Sequence, residues 1–165
     1  MRRRNQRTIV ILLSFVICMG LLGIGYAAFT GNLQINGSAT ITKSTINVKF
    51  LRVSEVGSYP SDRNITKTAN ITDDDTATFN VSGLMGYNDY AYATYVVKNT
   101  GNTTANLSTS ITNSNSTYFN VEANLSKNTI DPNEEIYMTV KISVKKVSTT
   151  TDQNTTVNVK LTASY

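Results

Sequence analysis

The chain has no histidine and no tryptophan, and only one cysteine and two prolines in 165 residues. The lack of histidine excludes a His-Glu-x-x-His zinc site, a Ser-His-Asp triad, a Cys-His pair and an imidazole pH switch. The one cysteine, Cys18, falls inside an apolar run. The remainder therefore has no thiol for a disulfide, a metal or a nucleophile. It must fold on an apolar core alone, and about 137 residues suffice for that. The net charge of +4 rests on Arg2, Arg3, Arg4 and Arg7. Beyond residue 28 the chain is formally neutral, which gives no electrostatic reason to expect nucleic acid as a partner.

What the chain does have begins with the uncharged run from Ile9 to Ala28. As a helix at about 1.5 Å per residue, it would span about 30 Å, the thickness of a bilayer core. Positive charge stays on the cytoplasmic side, so the chain after the run is expected outside. Residues 1–28 read as a cleaved signal peptide or as an uncleaved signal anchor, and residues 29–165 as one exported domain. Signal peptidases need small residues one and three positions before the cut. Gly25 and Ala27 meet that need and would leave Ala28 as the new first residue.

After residue 28 the apolar residues recur every second position. Ile46, Val48 and Phe50 share one face, as do Ala77, Phe79 and Val81. Ala105, Leu107, Thr109 and Ile111 alternate with polar neighbours, and Phe119, Val121 and Ala123 repeat the pattern. The clearest case is Ile136, Met138, Val140, Ile142 and Val144, and Val157, Val159, Leu161 and Ala163 close the chain. Turn residues stand between these runs at 99–102, 131–134 and 149–154. The pattern predicts an all-β fold: an antiparallel β-sandwich, jelly-roll or immunoglobulin-like, of about seven to nine strands. It leaves room for one short helix between residues 60 and 90.

Few residues carry chemistry. Asp73, Asp74 and Asp75 are adjacent, but they lack the spacing of an EF-hand loop, and a solvated turn is the simpler reading. Glu134 and Glu135 follow Asp131 and Pro132, as a hairpin turn requires. Nine Asn-x-Ser/Thr triplets, from Asn36 to Asn154, fit chance in a chain this rich in those residues. Tyr87, Tyr90, Tyr92 and Tyr95 are dense. Tyr90 and Tyr92 would share one face and Tyr95 the other, as an exposed binding strip or as cover for a sheet edge. No phosphate loop or activated nucleophile stands out. A non-enzymatic protein without cofactor or metal is expected.

Gly25, Tyr26, Ala27, Ala28 and Phe29 end the apolar run in a Gly/aromatic/Ala-Ala-Phe segment. The segment resembles the export region of Gram-positive surface and biofilm-matrix proteins of the TasA and camelysin type, cut by a SipW-type signal peptidase. "YVVKNTGNTTANLSTSI" (95–111) is similar to a strand–turn–strand hairpin of bacterial surface sandwiches. "LSKNTIDPNEEIYMTVKISV" (125–144) resembles their later turn and strand, with Asn133 in place of the usual glycine. Asparagine also tolerates positive φ. The metallopeptidase activity described for camelysin does not carry over to a chain without histidine. The resemblance implies a sandwich at the cell surface or in the extracellular matrix, associating with itself or with other surface proteins. It further implies that an N-terminal strand can be lent to a neighbour to build a fibre. Phe29, Leu33, Ile35, Ala39 and Ile41 would line one face of that strand. Pairing of the same strand within its own domain is the alternative. So is a membrane-anchored, monomeric binding module for glycan or peptide.

Overall fold

The computed structural model describes residues 12–19, 40–61 and 63–165. The chain divides into two compact units, Met1–Ile41 and Thr42–Tyr165. In the first, residues 12–19 form a helix, α1, whose residues are all exposed. Leu12, Leu13, Phe15, Val16, Ile17 and Met19 are each more than half accessible. Among the described residues, which take in only part of the apolar run, no helix is long and apolar enough to cross a membrane.

The second unit is a two-layered antiparallel sandwich, as the period-two pattern predicts. Its strands are β1 (Val48–Tyr59), β2 (Thr66–Asp73), β3 (Thr76–Ser82), β4 (Tyr90–Asn99), β5 (Ala105–Asn113), β6 (Phe119–Leu125), β7 (Thr129–Ile130), β8 (Glu135–Val144) and β9 (Asn154–Ser164). One sheet has the order β1-β4-β8-β6, the other β2-β3-β9-β5-β7. Alternate side chains of each strand face the space between the layers. Phe79, Tyr95, Met138, Val140, Val157 and Val159 are buried there almost completely. Each such side chain contributes about 1.5–3 kcal/mol by leaving water. The Tyr95 ring packs edge-on against Phe50, with centroids 5.6 Å apart. Its hydroxyl donates to Thr78 O at 3.1 Å, which satisfies the one polar atom it carries inward.

The short helix allowed for between residues 60 and 90 is absent from the described residues there. A β2–β3 hairpin takes its place. Alternation at Lys67, Ala69, Ile71, Ala77, Phe79 and Val81 suits a strand, and β3 finds its second partner in β9, far along the chain. Main-chain bonds from Phe50 N to Asp74 O (2.7 Å) and from Leu161 N to Asp75 O (2.8 Å) fasten that hairpin's turn to both sheets.

One end of the sandwich is organised by Asn99, which is fully buried. Its Nδ2 donates to Thr103 O (2.8 Å) and Ile130 O (3.2 Å), and its Oδ1 accepts from Gly101 N (2.9 Å). The side chain thus binds the β4–β5 turn to β7. A Cβ at Gly101 would lie 2.3 Å from Thr45 O, so only glycine lets the segment before β1 pass. That segment is held by Asn102, whose Oδ1 accepts Thr45 N at 2.7 Å and whose Nδ2 donates to Lys43 O at 2.9 Å. Asn133 has φ 65° in the turn before β8, and its N–H donates to Asn99 O at 2.8 Å. Asparagine is among the few side chains that adopt this conformation readily.

Two outcomes follow for stability in urea. Asn99→Ala strands buried carbonyls and lowers stability by at least about 2 kcal/mol. Asn133→Val lowers it by about 1–3 kcal/mol, while Asn133→Gly stays within about 0.5 kcal/mol of the parent.

Candidate functional site

Two surfaces of the sandwich do more than close the core. The first is the outer face of the four-stranded sheet. Because β4 alternates strictly, Tyr90 and Tyr92 point outward, whereas Tyr95 points inward and is 1% exposed. Tyr95 is therefore a core residue, and its membership in an exposed strip is corrected. Burial pushes its hydroxyl pKa up. Tyr87 stands exposed in the turn before β4.

The register of β1 on β4 brings in a residue that sequence reasoning missed. Tyr59 lies opposite Tyr90, and the two rings stack with centroids 5.6 Å apart and planes 19° apart. Tyr90 and Tyr92 follow at 6.5 Å. Tyr92 lies across the neighbouring strand, over Gly57. A Cβ on that glycine would meet the ring at 2.4 Å, so glycine is what allows the ring to lie down. The Tyr92 hydroxyl donates to Glu55 Oε1 at 2.7 Å. This bond to Glu55, with a smaller effect of burial, raises the tyrosine pKa. Lys141 on β8 places its Nζ 4.4 Å from the Tyr90 centroid, a cation–π contact. Thr94 and Thr139 share a hydrogen bond of 3.2 Å on the same face. Farther along, Glu135 pairs with Lys98 (3.2 Å) and Arg52 (3.4 Å).

A clamp beneath this face sets the tyrosines' positions. Asp89, just before β4, has a side chain only 4% exposed and pairs with Arg63 from the segment after β1. Its Oδ2 also accepts Met85 N (2.8 Å) and Gly86 N (3.0 Å). The end of β1, which carries Tyr59, is thereby tied to the start of β4, which carries Tyr90. Burial alone would raise the Asp89 pKa, but the two N–H groups and the Arg63 charge outweigh it and hold it low.

The second surface is a flank. β5 pairs with β9 from Asn106 to Asn113, but β7 covers only Ala105 and Asn106 on its other side. Between Ser108 and Asn113, β5 has a strand partner on one side only. Its sequence, ANLSTSITN, has no charge, glycine or proline. The inward side chains Thr109 and Ile111 remain partly exposed, Ile111 by 39%. On the facing edge, Val121, Ala123 and Leu125 of β6 are also only partly buried. Two terminal strands, β1 and β2, carry protective devices of the kind that stop strands from pairing. β1 has two register shifts. In β2, Lys67 occupies the phase of Ala69 and Ile71, which pack on the core.

The remaining candidates lie elsewhere. Gly25, Ala27 and Ala28, and Phe29, Leu33, Ile35 and Ala39, lie outside the described residues. Ile41 is 96% exposed and belongs to no strand. Cys18 is exposed on α1. Asp73 ends β2, and Asp74 and Asp75 form the turn. Asp75 bonds Thr76 Oγ1 at 2.8 Å and pairs with Lys160 at 3.4 Å. No group of three or more His, Cys, Asp or Glu residues that could hold a metal ion occurs among the described residues. Glu134 closes its own turn by accepting Asp131 N at 2.9 Å and by pairing with Lys127. In comparisons with known proteins, no family model, curated protein or solved structure matches the chain.

The low Asp89 pKa sets a pH dependence. A carboxyl that is more acidic folded than unfolded adds stability that is complete above about pH 4 and is lost as pH falls through the folded value. The urea midpoint of the parent should exceed that of Asp89→Asn at pH 7, and the gap should narrow steadily toward pH 2.5.

Proposed function

We propose that the chain is an exported, non-enzymatic structural protein of the cell surface or extracellular matrix of a Gram-positive bacterium, acting through protein–protein association. The observation that carries this reading is the open β5 edge. It is uncharged, has a strand partner on one side only, and lies beside core side chains that are not fully covered. An added strand would supply main-chain partners to β5 and would cover Ile111. Phe29, Leu33, Ile35, Ala39 and Ile41 of a neighbouring subunit suit that role by their alternation.

Export is supported by the arginine cluster followed by an apolar run. The exposed apolar side chains of α1 belong to that run; they suit a lipid environment or a peptidase substrate better than water. The resemblance of residues 25–29 to SipW-processed proteins supports release after Ala27. A second reading, a membrane-anchored monomeric binding module, is favoured by the tyrosine face.

The test combines the mature N-terminus with assembly. Mass spectrometry of the exported protein should give Ala28 as the first residue, and electron microscopy should show that this form builds elongated assemblies. Ile111→Lys places an inward charge on the edge and should leave monomers with an unchanged circular dichroism spectrum. An intact Met1, or monodisperse monomers of the Ala28 form under all conditions, would overturn the proposal.

A further inference from the structure

We infer that the tyrosine face of the four-stranded sheet is a binding platform for an uncharged, β-1,4-linked pyranose chain. The inference concerns the opposite kind of surface from the β5 edge and does not depend on association.

The geometry of the rings comes first. Tyr92 spends one side of its ring on the backbone of Gly57, a position where any side chain would collide with it. Its other side is left to face outward. Tyr59, 55% exposed, and Tyr90 extend the aromatic surface across two strands. With centres 5.6 Å and 6.5 Å apart, the three rings touch one another and form one continuous aromatic patch along the strands. A pyranose whose substituents are all equatorial presents a flat face of axial C–H bonds. Such a face lies on an electron-rich ring as any apolar, slightly positive edge does. The β-1,4 linkage of such sugars gives a straight ribbon, and a straight ribbon matches a sheet face rather than a pocket.

The surroundings select a hydroxylated partner. Beside the rings stand Thr94, Thr139 and Ser143, whose hydroxyls both donate and accept. Glu55 supplies a carboxylate acceptor next to Tyr92 and Lys141 an ammonium donor next to Tyr90. Val96, the aliphatic residue on the outer face of β4, is already buried. Charge complementarity points the same way. Glu55 is engaged by a tyrosine, Lys141 lies on a ring, and Glu135 is held by Lys98 and Arg52. A face whose charges answer one another favours a neutral chain over an anionic or cationic polymer.

The test is isothermal titration of the full chain in detergent micelles with cellohexaose and with chitohexaose. At least one should bind at about 1 mM or below. Tyr92→Ala should weaken that binding about tenfold or more. Tyr92→Phe keeps the ring and should keep most of the affinity. Gly57→Ala displaces the ring without removing it and should weaken binding as Tyr92→Ala does. Should Tyr92→Ala fail to fold, Lys141→Ala, a change on the outer face, should still weaken binding severalfold. Each folded variant should assemble as the parent does, which separates this proposal from strand addition. Absence of binding by both oligosaccharides at about 5 mM, or affinities unchanged in these folded variants, would overturn it. Loss of self-association in Tyr92→Ala without any sugar binding would do so too, because the face would then be a contact between copies.

Discussion

Folding of the sandwich depends on one constraint: each strand has a single inward face, and that face must find a partner layer. No disulfide or metal site among the described residues shares the task. Phe79, Val157 and Val159 on one sheet oppose Tyr95, Met138 and Val140 on the other. Pairing within a sheet connects strands distant in sequence, such as β3 with β9. Most of the contacts are therefore long-range. Such topologies close slowly, because loop entropy is lost before the contacts form. Edges left bare during closure are exposed to other chains, which makes the contrast between the defended β1 and β2 and the undefended β5 more than decoration.

The same constraint frees the outer faces. Side chains there are not required for the core, so their chemistry can differ from strand to strand. On β5 and β9 the outer positions are largely hydroxyl, amide or lysine. On β4 and β8 they carry Tyr90, Tyr92, Tyr137 and Lys141. Threonine suits a pleated, solvated surface, whereas a cluster of aromatic rings there carries an unfavourable contact with water. That cluster is held in place by specific devices. Gly57 makes room, Glu55 takes the hydroxyl, and the Arg63–Asp89 clamp aligns the two strand ends. A surface maintained by that many supports differs from the scattered apolar residues of any protein surface.

Alternation was legible because it is local. Ile136, Met138, Val140, Ile142 and Val144 could be read as one face from the residues alone, and they are buried together. The split of Tyr90 and Tyr92 from Tyr95 is legible for the same reason. Asn133 could be assigned a positive φ because its turn is a local motif. Register between distant strands is not local, and nothing near Tyr59 in sequence announces Tyr90. Gly57 reads as a weak point in a strand until its neighbour's ring is seen above it. Arg63 and Asp89 look like ordinary solvated charges, and only the return of the chain at β4 reveals the buried carboxylate. The two proline-free strands β5 and β9, rich in Asn, Ser and Thr, look alike on paper. Which of them lies at an edge depends on the shortness of β7, two residues long.

That shortness is what leaves the flank of β5 open. Had β7 run the length of β5, its backbone groups would be paired and Ile111 covered, and no strand could add without displacing it. The residues that would continue β7 alongside Ser108–Asn113 are the ones before Thr129, and most of these belong to β6 in the other sheet, so the chain joins β5 only at Thr129. Asn99 is the last residue of β4, the strand that carries Tyr90 and Tyr92. The Asn99 amide captures the Ile130 carbonyl opposite Ala105, away from the open stretch of β5, while Asp89 anchors the start of β4 at the other end of the sandwich. Of these two anchors, the Arg63–Asp89 clamp bears on the tyrosine face, whereas the open flank follows from the crossing of the chain between sheets before Thr129.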